Sequence, residues 1–376
     1  MKKKCDMARK QKNPSLNHYS TENNIYGQKV NSLLRQPPKW LDASGKNSDV
    51  VISSRVRLAR NLRDFSFPNR ASDRALNQVL AIVKDCYRKI EEVKDAIFLT
   101  IDDLDELDRQ FLMERRLISP NFIKLNRPCG LVIGKDELIS IMINEEDHLR
   151  IQSIQSGMEI NKAWQLIRRI DDALANSLEF AYSEQFGYLT ACPTNTGTGI
   201  RVSVFINLSA LAITEKIDKI IHEIAPSEVA IRGFYGEGTD ILGNIFQISN
   251  QLTLGRTEQS IVNRINNMAE QLITYEQNAR KDLLAEKSII VEDRVARAIG
   301  TLKYAKILTS VEGVNFISLL RLGAALKLID SIDEKILNEL LVLIQSAHLQ
   351  KLHGRNLSSH DRDILRVKLI RKRLNF

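Results

Sequence analysis

Seven consecutive residues, Asn144-Glu145-Glu146-Asp147-His148-Leu149-Arg150, put three carboxylates, an imidazole and a guanidinium at the end of an apolar run over residues 138–143. That run reads as a buried strand. Carboxylates crowded this closely are costly unless a cation sits among them. An isolated acidic cluster is more often a solvated loop, so its meaning depends on the rest of the chain. A second carboxylate, Glu237, follows an apolar run and Arg232-Gly233-Phe234-Tyr235-Gly236. Cations form the complementary set. Arg55 and Arg57 end an apolar segment and, on extended backbone, project from one face. Two guanidinium forks so placed can hold adjacent phosphates, whereas an exposed basic edge strand is the plain alternative. Arg150, Arg201 and Arg232 also stand at strand ends.

The turn over residues 193–199 allows close backbone approach through Gly197 and Gly199. No Gly-Lys-Ser/Thr follows, so it is not a Walker A loop, and the 233–238 turn lacks dinucleotide spacing and a βαβ surround. Cys5, Cys86, Cys129 and Cys192 show neither metal nor redox spacing, a pattern that suits a reducing cytoplasm. The six histidines do not cluster with them, so no zinc site is expected.

These groups need a scaffold, and 376 residues at 43% hydrophobic and 27% charged suffice for two domains with a substantial core. No apolar run approaches the ~20 residues of a bilayer span, and Met1-Lys2-Lys3-Lys4 has no apolar stretch behind it, so neither membrane nor secretion is expected. The net charge of +8 is spread among mixed charges without an aromatic-interleaved basic stripe, so nucleic acid is not an expected partner. Residues 1–30 read as a flexible polar tail. Strands are expected over 50–58, 96–101, 129–134, 138–143, from 151, and on both sides of the 193–199 turn. Residues 245–248 and 251–254 read as a closing hairpin, and amphipathic helices are expected over 72–94, 104–113 and 164–180. From residue 257 the pattern becomes helical, over 257–285, 289–307, 313–331, 335–352 and 358–374. The expectation is an α+β fold: an antiparallel sheet flanked by helices over 31–256, then an all-α domain over 257–376.

Four motifs, Ser53-Ser54-Arg55-Val56-Arg57, the 144–150 stretch, Cys192-Pro193-Thr194-Asn195-Thr196-Gly197-Thr198-Gly199-Ile200-Arg201 and Arg232-Gly233-Phe234-Tyr235-Gly236-Glu237, occur in the order of the ATP:guanidino phosphotransferases. The sequence resembles that family over roughly residues 50–256. Small-molecule members carry a helical domain ahead of the catalytic one. Here the first motif begins at residue 53 and the helical part follows, as in the bacterial protein-arginine kinases of the McsB type. The segment Arg362-Asp363-Ile364-Leu365-Arg366-Val367 is similar to their phosphoarginine-binding motif, with valine in place of the final alanine. A solvated basic helix face is the plain reading of the same residues.

The resemblance implies ATP with Mg2+ held by its phosphates, and the guanidinium of a protein arginine as acceptor. Arginine stays protonated below a pH of about 12 and must be gripped, oriented and deprotonated. By resemblance Glu146 and Glu237 grip the guanidinium, with Glu146 the better candidate for the base, and Cys192 occupies the reactive-cysteine position. Arg55, Arg57, Arg150, Arg201 and Arg232 would clamp the triphosphate. Ser53, Ser54, Val56, Val202, Ser203, Val204, Phe205, Gly233, Phe234, Tyr235 and Gly236 would complete the nucleotide site. Where relatives commonly have an ATP-contacting histidine before Leu-Ile-Ser-Pro, this chain has Arg116, which keeps positive charge but loses the ring. Arg362, Asp363 and Arg366 would hold phosphoarginine. Implied partners are proteins with exposed arginines, an activator protein, a AAA+ protease and further copies of the chain. Such kinases mark proteins for regulated proteolysis or control the stress response. A kinase for free guanidino compounds and a non-catalytic phosphoarginine-binding adaptor are the competing readings.

Overall fold

Alternation of side chains between the two faces of a sheet organises the centre of the molecule. A computed structural model describes residues 29–224, 229–233, 241–330 and 332–376. Ten strands occur in it: β1 Val51–Arg60, β2 Ile97–Thr100, β3 Gly130–Ile133, β4 Ile139–Ile143, β5 Leu149–Ser156, β6 Tyr182–Ser183, β7 Gly187–Tyr188, β8 Ile200–Asn207, β9 Val229–Arg232 and β10 Ile245–Asn250. Eight of them form one sheet in the order β2-β3-β4-β5-β1-β8-β10-β9, antiparallel throughout. Side chains two apart share a face. Val56 and Leu58, Leu149 and Ile151, and Val202, Val204 and Ile206 therefore enter the main core on one side. Arg55 and Arg57, Arg150 and Gln152, and Arg201 and Phe205 point the other way and line a cleft. A shift of register between Val51 and Ser53 changes the phase of β1, so Val51 joins the main core while Ile52 joins a second cluster.

The helices are α1 Asp73–Tyr87, α2 Glu106–Glu114, α3 Pro120–Ile123, α4 Ile160–Ala175, α5 Ser209–Ile213, α6 Ile217–Ile224, α7 Glu258–Tyr304, α8 Ser310–Ala325, α9 Glu334–Leu343, α10 Ser346–His353 and α11 Ser359–Leu374. The main core lies between the sheet, α1, α4 and the first half of α7. Leu337, Leu341 and Ile344 of the C-terminal helical region pack with Trp40, Ile52, Ile154 and Phe205 in the second cluster. Sheet and helical region thus share a core, on the face that carries the arginines.

The α+β architecture matches expectation, and differences fall at element ends. Residues 251–254 are not a strand: Thr253 bonds to the 194–196 turn, through Oγ1 to the carbonyls of Thr194 at 3.0 Å and Thr196 at 2.7 Å. The first helix stops at Tyr87 rather than near 94, and the helix expected over 164–180 runs from Ile160 to Ala175. The expected helices over 257–285 and 289–307 are one, α7, kinked where Lys287 leaves helical geometry (φ −138°, ψ 31°). The 335–352 helix is two, α9 and α10, separated by Ile344 and Gln345. Residues of the expected tail up to 28 lie outside the described residues.

Candidate active site

The cleft over the arginine face encloses about 1240 Å³. Its floor is the sheet and one wall is the loop carrying Cys192, Thr194 and Asn195, while Trp40, Leu41, Leu341, Val342 and Gln345 line it from the helical side. Arg55, Arg57, Arg116, Arg150, Arg201 and Arg232 all reach it. Arg57 and Arg201 sit directly opposite each other on β1 and β8, an arrangement in which like charges repel. The consequence appears in their acidity. Burial, then the charges of Arg116, Arg150, Arg201 and Arg232, push the Arg55 guanidinium down to about 9. Arg57 is driven well below the ordinary arginine range by burial and by Arg150, Arg55 and Arg201. Arg60, on the same strand, shows the opposite case. It receives counter-charge from within the fold, through Asp171 at 2.7 Å and Glu258 at 3.2 Å, and is held above its ordinary range. A cleft lined by six guanidiniums, two of them buried and lowered in this way, suits a polyanion.

The first five residues of the acidic motif take five different roles. Asn144 takes a left-handed φ of 60°, which asparagine tolerates, and its side-chain amide holds the carbonyls of Leu76 and Pro128. Glu145 is buried: Ser119 donates to it at 2.5 Å and Arg150 at 2.8 Å. Burial alone would raise its carboxyl, but Arg150 and the hydrogen bonds outweigh that and hold it below the usual range. Glu145 therefore fixes the Arg150 guanidinium at the cleft edge. Asp147 accepts from Asn61 Nδ2 at 2.6 Å and from the Ala191 amide at 2.7 Å, which ties the Cys192 loop to the motif. His148 is buried and uses Nδ1 to accept the Leu62 amide at 3.1 Å, so it is neutral; burial lowers it to about 4. Glu146 and Asp147 both border the cleft; Asp147 Oδ1 is taken by Asn61 and Ala191, whereas Glu146 stands 3.5 Å from Asn195 Nδ2.

Glu146 and Cys192 line one cleft, with Cys192 Sγ 3.0 Å from Thr194 Oγ1. Glycine is required where the Cys192 loop meets β1: at Gly199 (φ 65°) a Cβ would stand 2.6 Å from the Ala59 carbonyl. Arg116, also left-handed at φ 61°, places its guanidinium 4.0 Å from the centre of the Phe205 ring. Ser53 and Ser203 are buried on the arginine face of their strands. Ser54 turns away and donates to the Gly157 carbonyl at 2.7 Å, and Val56, Val202 and Val204 lie in the core beneath the sheet. Side chains of these four do not enter the cleft. Gly233 is buried beside β9, whereas Phe234, Tyr235, Gly236 and Glu237 lie outside the described residues.

The C-terminal arginine pair does not form one exposed grip. Arg366 is 1% exposed and donates to the carbonyls of Ile344 at 2.8 Å and Leu308 at 2.7 Å, besides pairing with Asp363. Arg362 is half-buried and donates to the Leu357 carbonyl at 2.7 Å. Sequence reasoning leaves Glu145 and Asp147 as loop-shaping residues without a catalytic role, which their contacts bear out, and does not single out Asn61 or Ser119. Ser119 lies 26 residues from Glu145 and Asn61 lies 86 from Asp147, so no local pattern exposes those two, whereas Arg150 pairs with Glu145 from within the motif.

Comparison with known proteins identifies the family. The profile "ATP:guanido phosphotransferase, C-terminal catalytic domain" matches residues 78–279, and "Protein-arginine kinase McsB C-terminal domain" matches residues 288–376. The interval between them contains the kink at Lys287. A protein-arginine kinase of Symbiobacterium thermophilum is 44% identical over 346 residues, covering 91% of this chain and 98% of that one. Another, from Halothermothrix orenii, is 44% identical over 336 residues, covering 89% and 96%. Among solved structures, lombricine kinase superposes with a TM-score of 0.56 at 23% identity, covering 68% of this chain and 77% of that one. The duplicated taurocyamine kinase of Schistosoma mansoni gives 0.57 at 24%, covering 65% and 35%. These two share the fold. With catalytic and C-terminal profiles both matched and relatives aligned along nine-tenths of its length, the chain belongs to the ATP:guanido phosphotransferase family and, within it, to the protein-arginine kinases.

Proposed function

We propose that the chain transfers the γ-phosphoryl group of ATP to the guanidinium of arginine residues in proteins. The observation that carries this is one cleft lined by Arg55, Arg57, Arg150 and Arg201 together with Glu146. The cations suit a triphosphate, and the carboxylate suits a guanidinium. The relatives named protein-arginine kinase support protein arginine over a free guanidino compound, as does the matched C-terminal profile.

The acceptor guanidinium is a poor nucleophile while charged. Glu146 binds it and takes one proton, with Glu237 as the second grip. One guanidino nitrogen then forms the N–P bond as the bond between the γ-phosphorus and the bridging oxygen breaks and ADP leaves. The arginines neutralise charge on the phosphates, and Mg2+ enters with the nucleotide as part of that substrate. Cys192 as a thiolate would add negative charge beside the acceptor. Catalysis belongs to residues 31–256, with 257–376 as a helical unit in which Arg362, Asp363 and Arg366 receive phosphoarginine. Action in the cytoplasm, marking of proteins for a AAA+ protease or for stress control, an activator protein and self-association complete the reading.

The experiment is incubation with labelled ATP, Mg2+ and either an unfolded arginine-rich protein or free arginine. Acid-labile, base-stable label on the protein is expected. Label confined to free arginine would make the chain a small-molecule kinase, and absence of label would leave a binding adaptor. Glu146→Gln should lower the rate by about 100-fold or more with ATP affinity little changed; full activity would remove Glu146 as the base.

A further inference from the structure

Three consecutive residues at the end of α2 reach three different places. Arg115 is buried against Glu137 and donates to the Gln36 carbonyl at 3.0 Å, which anchors the turn. Arg116 enters the cleft over Phe205, and its own carbonyl accepts Gln152 Nε2 at 2.6 Å. Glu114 faces the helical region. Its Oε1 accepts the Ala347 amide at 2.8 Å, and its Oε2 accepts the His348 amide at 2.9 Å and the His348 ring Nδ1 at 2.7 Å. Ala347 and His348 are in the first turn of α10, whose own N-cap residue, Gln345, supplies no side-chain cap. The helix is thus capped from another part of the chain.

This contact is enclosed. The Glu114 side chain is 9% exposed and that of His348 is 0% exposed. A carboxylate can only accept, so Nδ1 of His348 carries the proton. The Phe111 ring lies 4.4 Å from the imidazole, and Lys351 pairs with Asp108 one helical turn away. Glu114 also borders the cleft, and so do Leu341, Val342 and Gln345 just before α10. The two lie on opposite sides of one hydrogen-bonded joint.

We propose that Glu114 is a positioning residue that couples nucleotide occupancy to the seating of α10. The inference rests on the cleft being the nucleotide site. Arg116 contributes to the repulsion that depresses Arg55. A bound polyanion removes that repulsion and favours the turn that brings Arg116 into the cleft. The same turn presents Glu114 to α10. Nucleotide therefore binds the seated arrangement more tightly, and by linkage a seated α10 raises nucleotide affinity by the same factor.

The test uses full-length protein, magnesium ADP as probe, and Glu114→Ala and Glu114→Gln. In the wild type, ADP should slow hydrogen exchange of the Ala347 and His348 amides about fivefold or more. Glu114→Ala should raise the ADP Kd and the ATP KM by roughly 5- to 20-fold, change kcat less than about twofold, and abolish the exchange response. Glu114→Gln retains one acceptor oxygen and should recover part of the affinity. An unchanged Kd in folded Glu114→Ala would overturn the coupling. So would wild-type exchange indifferent to ADP while the protein still binds it and phosphorylates arginine. If Glu114→Ala does not fold, the wild-type exchange response and Glu114→Gln decide. Failure of the wild type to bind ADP would remove the nucleotide reading itself.

Discussion

Arg57 and Arg201 face each other across two strands because the molecule is shaped for something it must bind. Without that ligand the pair is a liability, and burial together with the neighbouring arginines lowers the pKa of both Arg55 and Arg57. Two effects of opposite sign follow for Arg57→Gln. Removing one charge should raise the melting temperature of the nucleotide-free protein, since a repulsion disappears. The same change should raise KM for ATP about tenfold, the cost of one charge-assisted contact to phosphate. Thermal unfolding with and without ATP reads both. A lower melting temperature in the nucleotide-free variant would mean that Arg57 is held by partners inside the fold. Arg60 serves as control, because its charge is matched by Asp171 and Glu258 and its loss should destabilise.

At the scale of elements, the loop between β4 and β5 contains two buried groups that titrate against each other. Asp147 is raised to about 6, by burial first, and His148 is lowered to about 4, also by burial. A carboxyl raised on folding binds its proton more tightly in the native state, so its contribution declines as pH rises from near 4 through 6. A histidine lowered on folding is protonated more readily when unfolded, so its contribution declines as pH falls from 6.5 through 4. The two largely offset one another. Asp147→Asn keeps an Oδ1 acceptor for Asn61 and Ala191 but removes one titration, leaving that of His148 exposed. Stability of this variant should fall more steeply than wild type between pH 6.5 and 4, measured by urea unfolding. Parallel curves would show that Asp147 does not titrate there. The motif's acidity was legible in the sequence, and so were strands β3 and β4 and the arginines at strand ends, with period two placing Arg55 and Arg57 on one face. The division of labour was not legible, since Asn61 and Ser119 meet the motif only through the sheet. Residues 251–254 looked like a strand from composition, yet the Cys192 turn claims the side chain of Thr253. The start of α4 was missed because Glu159 makes no side-chain cap.

At the scale of the whole molecule, the helical region completes the fold as well as the cleft. Arg366 is central to it: its guanidinium is spent on two carbonyls from separate segments and on Asp363. Arg366→Ala should therefore destabilise the protein by about 3 kcal/mol, leaving buried acceptors unpaired, while Arg362→Ala should cost little. Phosphoarginine affinity is accordingly best tested at Arg362, by titration with a phosphoarginine peptide against a folded variant. Unchanged melting of Arg366→Ala would contradict the buried role. The shift of phase at Ile52 has a different consequence. Downstream of it the central strands keep one alternation, arginine side against core side, with no slack along Ser53–Arg60 in the pairings to β5 and β8. Inserting or deleting a single residue there would turn guanidiniums into the hydrophobic core and valines into the cleft. Substitution can tune these strands, but change in their length is closed to evolution, and lineages of this fold must vary in length through their loops and tails.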